Sequence, residues 1–120
     1  MHKRISVIRH QAKQILFVDC SACSAAEVEK IARLVPEIVT AQPRASVLAL
    51  VDFTGAKFDE ATIRTMKESA VFDKPYIKAS AWIGSEALPK MYYEQLTSFS
   101  GRDFPAFNTR LEALEWLVKK

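Results

Sequence analysis

The sequence predicts an α/β domain built on a mixed, mostly parallel sheet of about five strands, with an N-terminal antiparallel hairpin and about four helices. Three observations lead there. Short apolar runs alternate with segments whose apolar residues recur at helical spacing, in the order β β α β α β α β α. The run SVLALVDF at 46–53 is apolar almost throughout, as in a strand covered on both faces of a parallel sheet. The first two strand-like runs, ISVIR and QILFVD, are separated only by HQAK. That link is too short for a crossover, so those two strands pair as a hairpin.

The elements follow in order. Ser24 with Glu27 three residues later forms a capping box. Val28, Ile31, Ala32, Val35, Ile38 and Val39 then mark the inner face of a helix. Pro36 lies inside that pattern and lacks a hydrogen-bond donor, so a kink or a break into two helices is expected. After the apolar strand, TGAK turns the chain. Asp59 reads as an N-cap, with Phe58 and Ile63 at the positions of a hydrophobic staple. Ile63, Met66 and Ala70 face inward on this second helix. YIKASAWIG is the next strand, and Leu88, Met91, Tyr92, Leu96 and Phe99 make one stripe of a third helix. AFN reads as a short edge strand. Thr109 and Glu112 cap a last helix whose inner face is Leu111, Leu114, Leu117 and Val118.

One domain spanning 1–120 is expected from 120 residues, a length that buries a full core without disulfide or metal. Lys+Arg 17 against Asp+Glu 14 gives +3, too mild and too dispersed for a nucleic-acid surface. No apolar run has the length of a signal peptide core or a membrane span. A cytoplasmic location, with no integral membrane association, is the expectation.

The spacing Cys20-x-x-Cys23 at the mouth of the first helix raises thiol–disulfide chemistry. A redox thiol needs a lowered pKa. Asp19 beside Cys20 works against that, and the Ser-Ala spacer differs from the Gly-Pro of thioredoxins. The helix after the Pro75 strand also departs from their topology. The pair therefore reads as turn residues, with redox activity a third reading. Two cysteines with His2 and His10 make no convincing metal set, and the phosphate-binding glycine motifs are absent. No catalytic residue, cofactor or metal is expected.

Three places could bind something. Asp52, Thr54, Gly55, Gly84 and Ser85 should rim the crevice at the strand C-termini, where ligands of open α/β sheets sit. Tyr93 falls off its helical stripe, which makes it a candidate contact. Arg102, in the loop after Gly101, could pair with an anion or cap a neighbouring helix.

Several segments carry a family resemblance when taken in order. They are Asp52-x-Thr54-Gly55, Lys74-Pro75-Tyr76 running into Ala81-x-Ile83-Gly84, Phe99-Ser100-Gly101-Arg102, and Glu112 to Leu117. The C-terminal two-thirds resembles the SpoIIAA-like family, small bacterial proteins related to STAS domains, whose architecture the Sec14 (CRAL-TRIO) lipid-binding domains share. The resemblance implies a sheet wound as a β-α superhelix and no catalytic residues. STAS antagonists are switched by phosphorylation at the start of the helix after the central strand. The matching place here reads Glu60-Ala61-Thr62-Ile63, with Ala for the first Ser and Ile for the Gly, which makes Thr62 the candidate phospho-acceptor. The expected function is a non-enzymatic regulatory module. It would act through a protein partner or a second copy, using the exposed side of the helix around Thr62 and the neighbouring strand-end loops. The alternative is binding of a small apolar ligand or lipid, as in the Sec14 relatives.

Overall fold

The computed structural model describes residues 2–120. Its elements are β1 (Ile5–His10), β2 (Lys13–Asp19), α1 (Ala25–Val39), β3 (Val47–Asp52), α2 (Glu60–Asp73), β4 (Ile77–Ile83), α3 (Lys90–Ser100), β5 (Ala106–Phe107) and α4 (Arg110–Leu117), with a 3-10 turn at Ser85–Ala87. The five strands form one sheet in sequence order. β1 pairs antiparallel with β2, placing Ile5 opposite Val18 and His10 opposite Lys13. Every later pairing is parallel.

Each β-α-β step moves one strand in the same direction, so crossovers of the usual hand put α1, α2 and α3 on one face. The core divides accordingly. Leu16, Val18 and Trp82 pack with Val28 and Ile31 of α1, Ile63 and Met66 of α2, and Leu96 of α3. On the opposite face Ile15, Leu48, Leu50, Ala81 and Ile83 meet Ala113, Leu114 and Leu117 of α4. The period-two alternation of β3 splits its side chains between these two cores, which explains its unbroken apolar sequence.

The caps form as the sequence indicates. Ser24 accepts from the Glu27 amide while Glu27 accepts from the Ser24 amide, and Asp59 and Thr109 cap α2 and α4. The expected break at Pro36 does not occur, because α1 runs through it as one helix. Pro36 cannot donate to the Ala32 carbonyl. The Ser69 hydroxyl of α2 donates to that carbonyl instead, at 2.6 Å. Thr62 and Thr65 extend the same stripe. Thr62 Oγ1 donates to the Ala25 carbonyl at 3.1 Å, and Thr65 Oγ1 to Glu29 Oε2 at 2.9 Å. The α1–α2 contact is therefore stitched by hydroxyls spaced three and four residues apart.

Three residues assigned inward by periodicity point outward. Met91, Phe99 and Leu111 are exposed, because α3 turns Leu96, Ser100 and its half-buried tyrosines inward, and α4 buries Ala113 in place of Leu111. No helix among the described residues is long and apolar enough to cross a membrane.

Candidate functional site

The loops after β2, β3 and β4 meet at the strand C-termini. They occupy the expected crevice with their own backbone. Cys20 donates to the Asp52 carbonyl and Ala22 to the Thr54 carbonyl, each at 2.8 Å, and Phe53 donates to Ile83 at 2.9 Å. Asp52 Oδ1 accepts from the Thr54 amide. Gly84 lies so close to Thr54 that a Cβ there would collide with its backbone nitrogen and hydroxyl. Gly84 also sits at φ +68°, as the N-cap of the 3-10 turn that begins at Ser85. Gly55 has φ +69° and more room. These residues are brought together as the sequence suggests, in a closed knot of turns.

Cys20 and Cys23 are free thiols, both buried. Burial pushes the Cys20 thiol far above its ordinary range, and Cys23 and Asp19 push it further. Burial also raises Cys23, opposed by Arg4. Arg4 is held by the Ser21 carbonyl at 2.8 Å and lies 3.6 Å from Asp19, so its charge serves the loop more than the thiols. This environment is opposite to the one that makes a thiolate. Among the described residues, no group of three or more His, Cys, Asp or Glu could hold a metal ion.

Tyr93 is half-buried. Its hydroxyl donates to the Phe104 carbonyl at 3.1 Å, and its ring meets Trp82 edge-on. Arg102 takes the structural role. Its guanidinium donates to the Ala70 carbonyl in the last turn of α2 at 3.1 Å and to Ser80 Oγ at 2.9 Å, with Phe104 beneath it.

Besides a groove of about 290 Å³ on α1 and α2, lined in part by Glu29, Arg33, Arg64 and Phe72, two concave places remain among the described residues. One is a cavity of about 100 Å³ between the sheet and α1–α3, lined by apolar side chains with Ser69, Asp73, Ser80 and Arg102 contributing its polar groups. Burial pushes the Asp73 carboxyl up to about 7, against the pull of Arg102. Pockets for drug-sized ligands measure roughly 300–1,000 Å³, so this cavity is too small for a lipid chain.

The other is a groove of about 650 Å³ along the outer edge of β4, lined in part by Lys74, Lys78, Ser80, Tyr93, Arg102, Asp103, Phe104, Trp116 and Lys120. It exists because β5 is short and meets β4 only at Trp82 and Ile83. The Trp82 amide donates toward the β5 side, to the Pro105 carbonyl. By alternation, the peptide group of Ser80 points the same way, where no strand lies beside it, and a bulge at Lys78 breaks the alternation below it.

The chain is similar to the crystal structure of an uncharacterized protein of the DUF3478 family from Shewanella loihica PV-4, described as having a SpoIIAA-like fold. The TM-score is 0.68, with 20% sequence identity, over 94% of this chain and 91% of that one. The fold is SpoIIAA-like. No protein-family model matches the sequence, and no curated protein matches it.

On this SpoIIAA-like frame Thr62 lies at the start of the helix after the central strand, as the resemblance implies, but its side chain faces α1 and is 0% exposed. Its hydroxyl donates to Ala25, and both its hydroxyl and its amide engage Asp59. Phosphoryl transfer to it requires the first turn of α2 to lift from α1. Thr62 thus lies on the packed side of α2, whose opposite side, with Ala61, Arg64, Glu68 and Phe72, is exposed. The cavity and the β4 groove went unnoticed in the sequence. The one available signal was the brevity of the AFN strand beside a seven-residue β4.

Proposed function

We propose that this chain is a non-enzymatic binding module that acts through protein–protein interaction, taking an acidic, extended segment of its partner along the open edge of β4. The observation that carries this reading is the edge itself, where the Ser80 peptide group has no strand beside it and Lys78 lines a groove of about 650 Å³.

Charge and shape support it. Lys74, Lys78, Lys120 and Arg102 line the groove with Asp103 as the opposing carboxylate. Lys74 is anchored on the Ser100 carbonyl, and Lys120 stacks over Trp116 at 4.4 Å, so both ammonium groups are held at the groove. A lysine on an open edge repels a cationic strand and blunts pairing with a neutral one, which leaves an acidic strand as the matching partner. Tyr93, Phe104 and Trp116 give alternate side chains of an added strand somewhere to rest. The SpoIIAA-like fold supports a regulatory role of the STAS kind, with the contact surface moved from the helix around Thr62 to the sheet edge. The protonated, buried thiols support the non-enzymatic part of the reading.

Fluorescence anisotropy with a short labelled peptide that alternates Glu and Val tests it. The peptide binds, its affinity falls as salt rises, and a version with Lys for Glu does not bind. Lys74→Glu with Lys78→Glu weakens binding by tenfold or more, on the order of 1.4 kcal/mol. Equal binding of the two peptides, or no effect of the charge reversal, refutes the reading.

A further inference from the structure

We propose that the cavity between the sheet and α1–α3 is a binding site for a small molecule: an apolar ring of about five or six non-hydrogen atoms that carries one N–H or O–H donor and gives it to Asp73.

The argument begins with an unpaired acceptor. Asp73 is the last residue of α2 and only 7% exposed, and its Oδ1 is buried with no hydrogen-bond partner among the described residues. Buried polar atoms are nearly always satisfied, so such an atom calls for an explanation. No protein donor among the described residues reaches it. The Ser69 hydroxyl is committed to the Ala32 carbonyl. The Arg102 guanidinium donates to the Ala70 carbonyl and to Ser80 Oγ, and forms no ion pair with Asp73 within 4.0 Å. What is missing at this end of the cavity is a donor.

The remaining walls are hydrocarbon and aromatic, among them Val28, Ile31, Val51, Met66, Leu96 and Trp82. Water placed among them finds little of the polar company, about two to four partners, that buried water ordinarily keeps. An apolar cavity of roughly 150 Å³ takes up benzene, so a volume of about 100 Å³ sets the upper size of the occupant at a small ring. Among the described residues, Arg102 is the only other charged residue lining the cavity. It disfavours a cationic ligand and leaves a neutral donor as the matching chemistry. The elevated affinity of Asp73 for a proton agrees with a carboxyl set in hydrocarbon. The site shares Ser80, Arg102 and Phe104 with the wall of the β4 groove but does not depend on the strand addition proposed there.

Pyrrole and furan form a matched pair, alike in size and differing in the N–H donor. Each is titrated into the full chain at pH 8, with backbone amide NMR shifts as the readout. The expected result is saturable pyrrole shifts at Asp73, Ser80, Trp82 and Leu96, with affinity at least tenfold above that of furan, the scale of one hydrogen bond to a charged group. In Asp73→Leu the preference disappears and furan binds at least as well as pyrrole. Should that variant not fold, the comparison in the unaltered chain decides alone. Equal affinities, shifts that map elsewhere, or no saturable shift overturns the proposal, the last leaving the cavity to ordered water only.

Discussion

Replacing Ser69 with Ala should expose the device that lets α1 run through a proline. The substitution removes the donor at 2.6 Å from the Ala32 carbonyl, which Pro36 leaves without its intrahelical partner. A carbonyl left unsatisfied at this part-buried contact costs about 1 kcal/mol, and up to about 3 if water stays excluded. At about 2.1 cal/mol/K of unfolding entropy per residue, the 120 residues lose roughly 4 °C of Tm per kcal/mol. Ser69→Ala should therefore lower Tm by about 4–12 °C. The sharper form is a double-mutant cycle with Pro36→Ala, which returns an N–H to the Ala32 carbonyl. In that background Ser69→Ala should cost less than about 0.5 kcal/mol. Urea denaturation of the four proteins, with unchanged m-values, gives the coupling. Equal losses with the proline present and with it replaced would refute the reasoning, since the hydroxyl would then be doing something unrelated to the missing donor.

Other predictions follow from the same geometry. Because Asp73 is held near 7, above the ~4 of an unfolded chain, the folded protein keeps a proton that the unfolded chain has released. Stability therefore falls as pH rises from about 4 to about 7 and levels off above that. Asp73→Asn removes the slope, so thermal melts should show a larger gain over the parent at pH 8 than at pH 5. Gly84→Ala combines a left-handed φ of +68° with a collision against Thr54, whereas Gly55→Ala meets no atom closer than 3.8 Å. The first should cost more than about 2 kcal/mol in chemical denaturation and the second about 1 kcal/mol. Cys20 and Cys23, buried and protonated, should react with a thiol-specific reagent at pH 8 only when denaturant is added. Rapid labelling in the native state would contradict their assigned environment.

What was legible in the sequence was local. The Ser24–Glu27 capping box, the Asp59 cap and the apolar run of β3 depend on residues a few positions apart, and each appears where its pattern placed it. Topology followed from the alternation of helix and strand. Illegible features depend on distant partners. Thr62, Thr65 and Ser69 look like a solvated helix face until α1, more than thirty residues earlier, turns out to need their hydroxyls. Asp73 looks like an ordinary polar residue at a helix end, and its burial is set by Arg102, Ser80 and the sheet beneath. Tyr93 falls off the one stripe that periodicity reports, and its contacts with Trp82 and the Phe104 carbonyl come from elements that only the tertiary structure brings together. The hairpin turn carries positive φ at Gln11 and Ala12, residues that rarely advertise such a turn. For the groove, the shortness of β5 could be read, but not its register at Trp82 and Ile83, which decides how much of β4 stays open.

The central claim is that the β4 edge receives an acidic strand, and the most direct measurement is hydrogen exchange at the Ser80 amide, with and without the alternating Glu–Val peptide. If a strand adds there, that amide acquires a carbonyl partner and its exchange slows by at least tenfold at saturation. Unchanged exchange at Ser80, with protection appearing instead on α2 or the strand-end loops, would contradict the account.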